Sequence, residues 1–233
     1  MSDAPEGILV IHKPRGMTSH DVVQLTRSAL GVRQIGHSGT LDPIAEGVLV
    51  LLVGKATKYQ QAAQAHPKRY EAVMRLGIQT DTGDAWGNSI KTAPVPPLDR
   101  HHVEAVLASL VGPLSQVPPV FSAVKVRGRP LYWWARRGSP LTVPPRIVQI
   151  FAAELLELSG DQLTCRVECS RGTYMRCLAE LIAERLGTVG HVHQLIRLAV
   201  GPWDLSQAHT VDWLRSSTPQ EIRASLTPVG QAM

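Results

Sequence analysis

Ile35-Gly-His-Ser-Gly-Thr-Leu-Asp-Pro-Ile-Ala-Glu-Gly-Val-Leu-Val-Leu-Leu-Val53 is the stretch on which the fold turns. Its first nine residues form a Gly-rich loop that closes on Asp42-Pro43. Its last six, Val48 to Val53, are apolar without interruption. A strand that is apolar at every position has no face to give to water, so it has to be covered on both sides. Gly36, Gly39 and Gly47 would let backbone come close to a ligand. Asp42 at the end of this loop has two readings. It can cap a helix, with Pro43 in the first helical position. It can also be a working carboxylate on a tightly held loop, where catalytic groups often sit.

The neighbouring segments set the fold class. Ile8 to Ile11 reads as a buried strand stopped by Lys13-Pro14-Arg15-Gly16. Ser19 can cap a helix that carries Val22, Val23, Leu25 and Ala29 and ends at Gly31. Tyr70, Ala72, Met74 and Leu76 alternate with Glu71, Val73 and Arg75, the period of a half-buried strand. Thr80 to Asn88 is turn-like, and Pro94 to Pro97 is the best linker candidate. Val103, Val106, Leu107 and Leu110 fit one helix face. Ile147 to Leu158 and Leu163 to Cys169 form a strand pair around Gly160-Asp161. Met175, Leu178, Ile182 and Leu186 make a helical stripe closed by Gly187. Strands and helices mix irregularly, which argues α+β rather than strict βαβ alternation.

Composition narrows the function classes. The chain has 233 residues, 44% hydrophobic and 18% charged, which is ordinary globular make-up. No apolar run approaches the length that spans a bilayer. Ser2, Asp3, Pro5 and Glu6 do not make a signal sequence. A soluble, cytoplasmic protein is expected. The 24 basic and 19 acidic residues leave a net charge of +5, but its distribution says more. No acidic residue stands between Glu104 and Glu154. That interval holds Lys125, Arg127, Arg129, Arg136, Arg137 and Arg146, with Tyr132, Trp133 and Trp134 among them. Clustered cations favour phosphates and aromatic rings offer stacking surfaces. A solvated basic face over buried tryptophans is the other reading.

Several motifs fail on inspection. Gly54-Lys55-Ala56-Thr57 lacks the hydroxyl residue directly after lysine that a phosphate loop needs. Gly36-His37-Ser38-Gly39 is one residue short of a nucleophile elbow. Asp81-Thr82-Gly83 spells an aspartic-protease triplet in one copy only, so a protease would have to dimerise. Cys165, Cys169 and Cys177 are odd in number, and Cys165 and Cys169 alternate as core strand residues. A zinc site joining them to His191 and His193 matches no usual spacing. If Thr173 caps the last helix, Arg176 lies in its first turn. A cation there opposes the helix dipole, a conflict that a nearby anion such as Asp42 would resolve.

Taken in order, the segments resemble the TruB family of tRNA pseudouridine-55 synthases. Gly7-Ile-Leu-Val-Ile-His-Lys-Pro-Arg-Gly-Met-Thr-Ser-His20 is similar to the family's opening Lys-Pro motif. Gly36 to Leu49 is similar to its catalytic motif. Gly54 to Lys58, Lys68 to Tyr70, Leu76 to Asp84, Val117 to Lys125 and Leu131 to Gly138 follow in family order. Cys169-Ser-Arg-Gly-Thr-Tyr-Met-Arg176 and His191 to Leu198 close the series. The resemblance implies an α+β fold with a mixed, largely antiparallel central sheet flanked by helices and loops. It implies an isomerase that turns uridine-55 of the tRNA T loop into pseudouridine. A non-catalytic tRNA-binding or chaperone module is the alternative.

The resemblance also carries roles. Asp42, Tyr70 and Arg176 match the catalytic positions: the carboxylate, the tyrosine that stacks on the target base, and the arginine that pairs with the carboxylate. His37 matches the histidine that fills the gap left by the flipped base, and Leu195 an apolar residue of the pocket. Gly39, Thr40 and Lys13 are implied to bind substrate. Lys125, Arg127 and Arg129 belong to a loop, about 118–145, that clamps RNA. Ile196 stands where an arginine is usual in the family. Residues 1–210 are expected to form the catalytic domain and 211–233 a tail, without the C-terminal RNA-binding domain of many bacterial relatives. No metal, nucleotide or other cofactor is implied. The partner is the T arm of tRNA, no membrane is involved, and a monomer is expected.

Overall fold

The structure is a computed structural model in which residues 5–231 are described. Ser2 and Asp3, read above against a signal sequence, lie outside the described residues, as do the last two positions. The chain divides into two compact units. The first comprises residues 1–70 and 196–233, the second residues 71–195. The chain passes between them within the strands Lys68–Leu76 and Gly190–Val200.

In the first unit the apolar run is the strand Glu46–Val53, and all of it but Glu46 is buried. Gly7–Lys13 pairs antiparallel with it from Gly7 opposite Val53 to Lys13 opposite Gly47. Ile35–His37 pairs antiparallel along its second half, and Ile196 and Arg197 pair parallel with Glu46 and Gly47. His209–Thr210 lies parallel to Gly7–Lys13. Successive strand side chains point to opposite faces, so the run feeds two clusters. Leu49, Leu51 and Val53 pack with Leu9, Ile11, Val22, Val23 and Leu30. Val48, Val50 and Leu52 pack with Ile8, Val10, Ala63, Val200 and Trp203. The strand is therefore covered twice, as its composition requires.

The helix Ser19–Leu30 begins differently from the expected cap. Thr18 is the N-cap: its hydroxyl accepts from the Asp21 amide and the Asp21 carboxylate accepts from the Thr18 amide. Ser19 is instead the first helical residue and is buried. The hydroxyl of Thr18 sits where the free amides are, and that geometry leaves the Ser19 hydroxyl free to hold another segment. Gly31, in the left-handed region at φ 67°, ends the helix as expected. At the other end of the chain, Val211, Leu214 and Ile222 join the cluster around Leu9 and Ile11.

The second unit is built on the antiparallel pair Arg146–Ser159 and Gln162–Cys169, with Gly112–Gln116 antiparallel on the outer side of Arg146–Ser159. Cys165 and Cys169 are buried core residues of that pair. Burial pushes the Cys165 thiol up to about 12. The helices Arg100–Ala108 and Met175–Arg185 bury the stripes read from the sequence. A short hairpin, Ile78–Thr80 with Ser89–Thr92, frames the turn segment and was not anticipated; the second strand is exposed throughout. Ala93 to Asp99 is coil, and Pro94–Pro97 links elements that lie within one unit. Among the paired strands, antiparallel pairs predominate in each unit, and the fold is α+β. Among the described residues, no helix is long and apolar enough to cross a membrane.

Candidate active site

The Gly-rich stretch leaves the strand Ile35–His37 and runs as an irregular loop into Glu46–Val53. No helix starts at Asp42, so the capping reading fails. Pro43 and Ile44 form a turn closed by the Ala45 amide donating to the Asp42 carbonyl at 3.0 Å. Asp42 is half-buried between buried Leu41 and exposed Pro43.

Four sets of contacts fix this loop. Ser19 donates its hydroxyl to the Leu41 carbonyl at 3.1 Å and accepts from the Leu41 amide at 2.8 Å. The Gly16 amide donates to the Pro43 carbonyl at 2.8 Å. Lys13, fully buried, donates to the carbonyls of Pro14, Met17 and Ala45. Arg197, 1% exposed, donates to the carbonyls of Val48 at 2.7 Å, Thr40 at 3.3 Å and Gly39 at 3.2 Å. Gly39 stands at φ 140°, a conformation few L side chains adopt. Loss of water lowers the Lys13 ammonium from 10.5 to about 8, and the positive Arg197 adds to that; Asp42, Glu46 and Asp21 oppose it.

His37 stands at the head of the loop. Its Nδ1 accepts from the Gly39 amide at 3.2 Å, which places the proton of the neutral ring on Nε2. Burial first, and the Arg197 charge second, hold its pKa below the usual imidazole value. Tyr70 is buried on the inward side of Lys68–Leu76, in the alternation predicted for it. The first unit thus gathers His37, Gly39, Thr40 and Asp42 on one loop with Lys13 beneath it.

In the second unit Arg176 is 4% exposed and is the second residue of Met175–Arg185. Thr173 is not the cap, since its hydroxyl donates to the Ser170 carbonyl; Tyr174 holds that place with no side-chain cap bond. The Gln116 carboxamide accepts from the Tyr174 amide at 3.0 Å. The Arg176 guanidinium donates to the carbonyls of Thr82 at 2.8 Å and Phe121 at 2.9 Å, with Asp84 Oδ2 3.9 Å from Nε. Asp84 is in turn held by the Thr82 hydroxyl at 2.8 Å and the Trp86 amide at 3.0 Å. Asp81-Thr-Gly-Asp84 is therefore a turn that serves Arg176. Asp81 itself is exposed and accepts from the Asn88 amide at 2.8 Å, so the protease triplet has no carboxylate at a site. Leu195 is buried in Gly190–Val200.

The basic segment carries its own order. Lys125–Val126 and Arg129–Pro130 pair through Arg127 and Gly128, both at positive φ, as a two-residue hairpin turn requires. The helix Leu131–Ala135 follows. Lys125, Arg127 and Arg129 are exposed. Arg137 lies 3.7 Å over the Trp133 ring and Arg129 5.4 Å, while Arg136 lies 5.6 Å over Tyr132. These cations are laid against ring faces, where the quadrupole attracts them. His191 is a strand residue whose Nδ1 lies 2.8 Å from the Ile78 carbonyl. Among the described residues, no three His, Cys, Asp or Glu side chains are gathered to hold a metal, so the zinc reading has no geometry behind it.

The model of the TruB family pseudouridylate synthase N-terminal domain matches residues 27–175. The chain is 45% identical over 221 residues to tRNA pseudouridine synthase B of Aromatoleum aromaticum, covering 95% of this chain and 71% of that one. It belongs to the TruB family. Another relative, tRNA pseudouridine synthase B of Opitutus terrae, is 40% identical, with 97% of this chain and 94% of that one covered. A chain in the crystal structure of a Cbf5-Nop10-Gar1 complex superposes with a TM-score of 0.72 at 28% identity. That match covers 95% of this chain and 60% of the other, so the chain spans about three fifths of that relative's length. Membership makes the chain an isomerase that forms pseudouridine, on the pseudouridine synthase fold. Sequence reasoning missed two of the residues described above as individuals. Asp84 is visible in the sequence only as the end of a turn motif, with no sign that it serves an arginine. Arg197 is overshadowed by the unusual Ile196 beside it. A charged residue flanked by apolar strand positions, as in Leu195-Ile-Arg-Leu198, is the signal that could have found it.

Proposed function

We propose that this protein isomerises uridine-55 in the T loop of tRNA, with Asp42 as the catalytic carboxylate. The observation that carries the reading is the loop itself. Asp42 is a half-buried carboxylate on a backbone held on both sides, at Thr40 and Leu41 before it and at Pro43 and Ala45 after it. The tRNA substrate follows from the names of relatives aligned over nearly the whole chain.

The chemistry sets the demands. The N1–C1′ bond of uridine breaks, the uracil turns, and C5 bonds to C1′. The C5 proton leaves and N1 takes one up, so the net composition is unchanged. The base must first leave the stack, at a cost of a few kcal/mol. His37, as a neutral ring with Nε2–H outward of its own loop bond, is suited to fill the vacancy. Positive character grows at the sugar carbon as the bond breaks. An anionic Asp42 stabilises it, either by attack at C1′ or by taking a ribose proton. Tyr70 stacks on the base and accepts the C5 proton, and Leu195 keeps water from the pocket, where it would divert the reaction to hydrolysis. Arg176, held by Asp84 and two carbonyls, matches the arginine that the family resemblance pairs with the catalytic carboxylate. Gly39, Thr40 and Lys13 shape the loop around the nucleotide. Lys125, Arg127 and Arg129 grip phosphates of the T arm.

Asp42→Asn keeps the size and polarity of the side chain but removes its charge. The expected result is loss of pseudouridine formation on unmodified tRNA with tRNA affinity retained. Normal turnover by that variant would remove the reading.

A further inference from the structure

The loop that carries Asp42 is short and glycine-rich, exposed at Thr40 and anchored by the buried Leu41 and Ile44. Beside the bonds from Ser19, Gly16 and Lys13, a second buried charge organises it. Arg197 points from the strand Gly190–Val200, and its guanidinium reaches three carbonyls that belong to the loop and to the strand after it. Two of them, Gly39 and Thr40, lie within three residues of Asp42. Among the described residues, all its hydrogen bonds end on main-chain oxygens. The approach is close. Arg197 pairs with Gly47, and a Cβ on Gly47 would stand 2.2 Å from the Arg197 carbonyl oxygen. Any other residue at position 47 would push the loop's far end off the strand.

A buried cation is an expensive way to fill a core position. Desolvation opposes it, and a well-packed apolar side chain would serve stability as well or better. Position 197 lies on a strand whose neighbours Leu195 and Ala199 are buried and apolar, so an apolar residue would suit the pattern. What a guanidinium adds is a rigid fork of donors set at fixed angles. Here it holds the Gly39, Thr40 and Val48 carbonyls through three nitrogens fixed in one plane, so the directions of the bonds are set by the group itself.

We propose that Arg197 is a positioning residue that fixes the Asp42 loop in the shape needed for isomerisation. This rests on the reading of Asp42 as the catalytic carboxylate. Arg197 touches no substrate atom in this scheme and acts only through the main chain of residues 39, 40 and 48. Its removal therefore lowers the rate of the chemical step and leaves tRNA affinity in place.

The test uses full-length Arg197→Lys and Arg197→Gln with unmodified tRNA, beside Asp42→Asn. Single-turnover rate, tRNA dissociation constant and amide hydrogen exchange are measured on each. The rate is expected to fall about 10- to 100-fold in both Arg197 variants while affinity stays within about twofold, the split that a misplaced catalytic group produces. Exchange at the Gly39, Leu41 and Ala45 amides should quicken, while that at Leu9 and Val50 stays slow. Millimolar guanidinium should restore part of the rate to Arg197→Ala, and methylammonium should not. An unchanged rate in Arg197→Lys and Arg197→Gln overturns the proposal. So does a drop in affinity that matches the drop in rate, which would make Arg197 an RNA contact. Unaltered exchange across residues 39–45 overturns it as well, and that readout needs no turnover. If Asp42→Asn turns over normally, the carboxylate reading fails, while the exchange data still decide what Arg197 does.

Discussion

Lys13 and Arg197 present one problem in two forms, a charge with no water around it. Arg197 cannot shed its proton, so it stays charged and organises carbonyls. Lys13 can, and its lowered value of about 8 against 10.5 gives a sign to the effect of pH. Below about 8 both the folded and the unfolded chain carry the proton, and the full penalty of burying it is present. Between about 8 and 10.5 the unfolded chain binds more protons than the folded one, so this residue makes stability rise with pH. Urea unfolding at intervals from pH 7 to 10.5 checks it. The difference between wild type and Lys13→Met should grow in favour of wild type across that window, and a flat difference would contradict the desolvation account. At this scale the sequence was uneven. Asp42 could be singled out from a loop and a family motif. Ser19 was given the wrong task, because a serine at a helix start offers a capping hydroxyl equally from either of two adjacent positions. Only the packed structure shows that Thr18 takes the amides and Ser19 takes Leu41.

Elements were legible where periodicity was long. The runs Val48 to Val53, Tyr70 to Leu76 and Met175 to Leu186 each repeat a burial period several times, and each appears as read. Ile78–Thr80 and Ser89–Thr92 escaped because three and four residues, the latter exposed, carry no period. The basic segment escaped for a different reason. Its hairpin and helix are tied by Arg–aromatic contacts and by Trp134 donating to the Val126 carbonyl, contacts that a hydrophobicity pattern does not register. Three of its cations, Lys125, Arg127 and Arg129, are exposed on that hairpin. If they meet phosphates, replacing all three by Ala should weaken tRNA binding and flatten its dependence on salt. Every phosphate that is no longer neutralised takes about 0.7 to 0.9 off the slope of log affinity against log salt. Titrations at several salt concentrations read that slope. The same slope in the triple variant would show that the hairpin is not the phosphate clamp.

At the scale of the whole chain, the sequence marks residues 211–233 as a C-terminal tail and does not give its role. Function and packing are separate properties, and this segment separates them. Val211, Leu214 and Ile222 are buried in the cluster that also holds Leu9, Ile11 and Leu49, so they help cover one face of the strand that follows the Asp42 loop. The Thr227 amide also donates to the Ile8 carbonyl at 2.9 Å, extending the pairing of the strand Gly7–Lys13. A segment used in this way should behave as core under mutation. Leu214→Ala removes a side chain that is 1% exposed, and a buried leucine truncated to alanine costs about 2–5 kcal/mol, depending on how far the site collapses. Arg215→Ala, one residue on and mostly exposed, should stay within about 0.5 kcal/mol of wild type. Chemical denaturation of both variants separates the two views of the segment. A dispensable tail predicts that neither change matters, whereas a core segment predicts a large destabilisation at position 214 alone. It also predicts that tRNA affinity, measured where Leu214→Ala is still folded, is unaltered, because the truncated side chain is buried in the cluster around Leu9 and Ile11 and presents nothing at the surface.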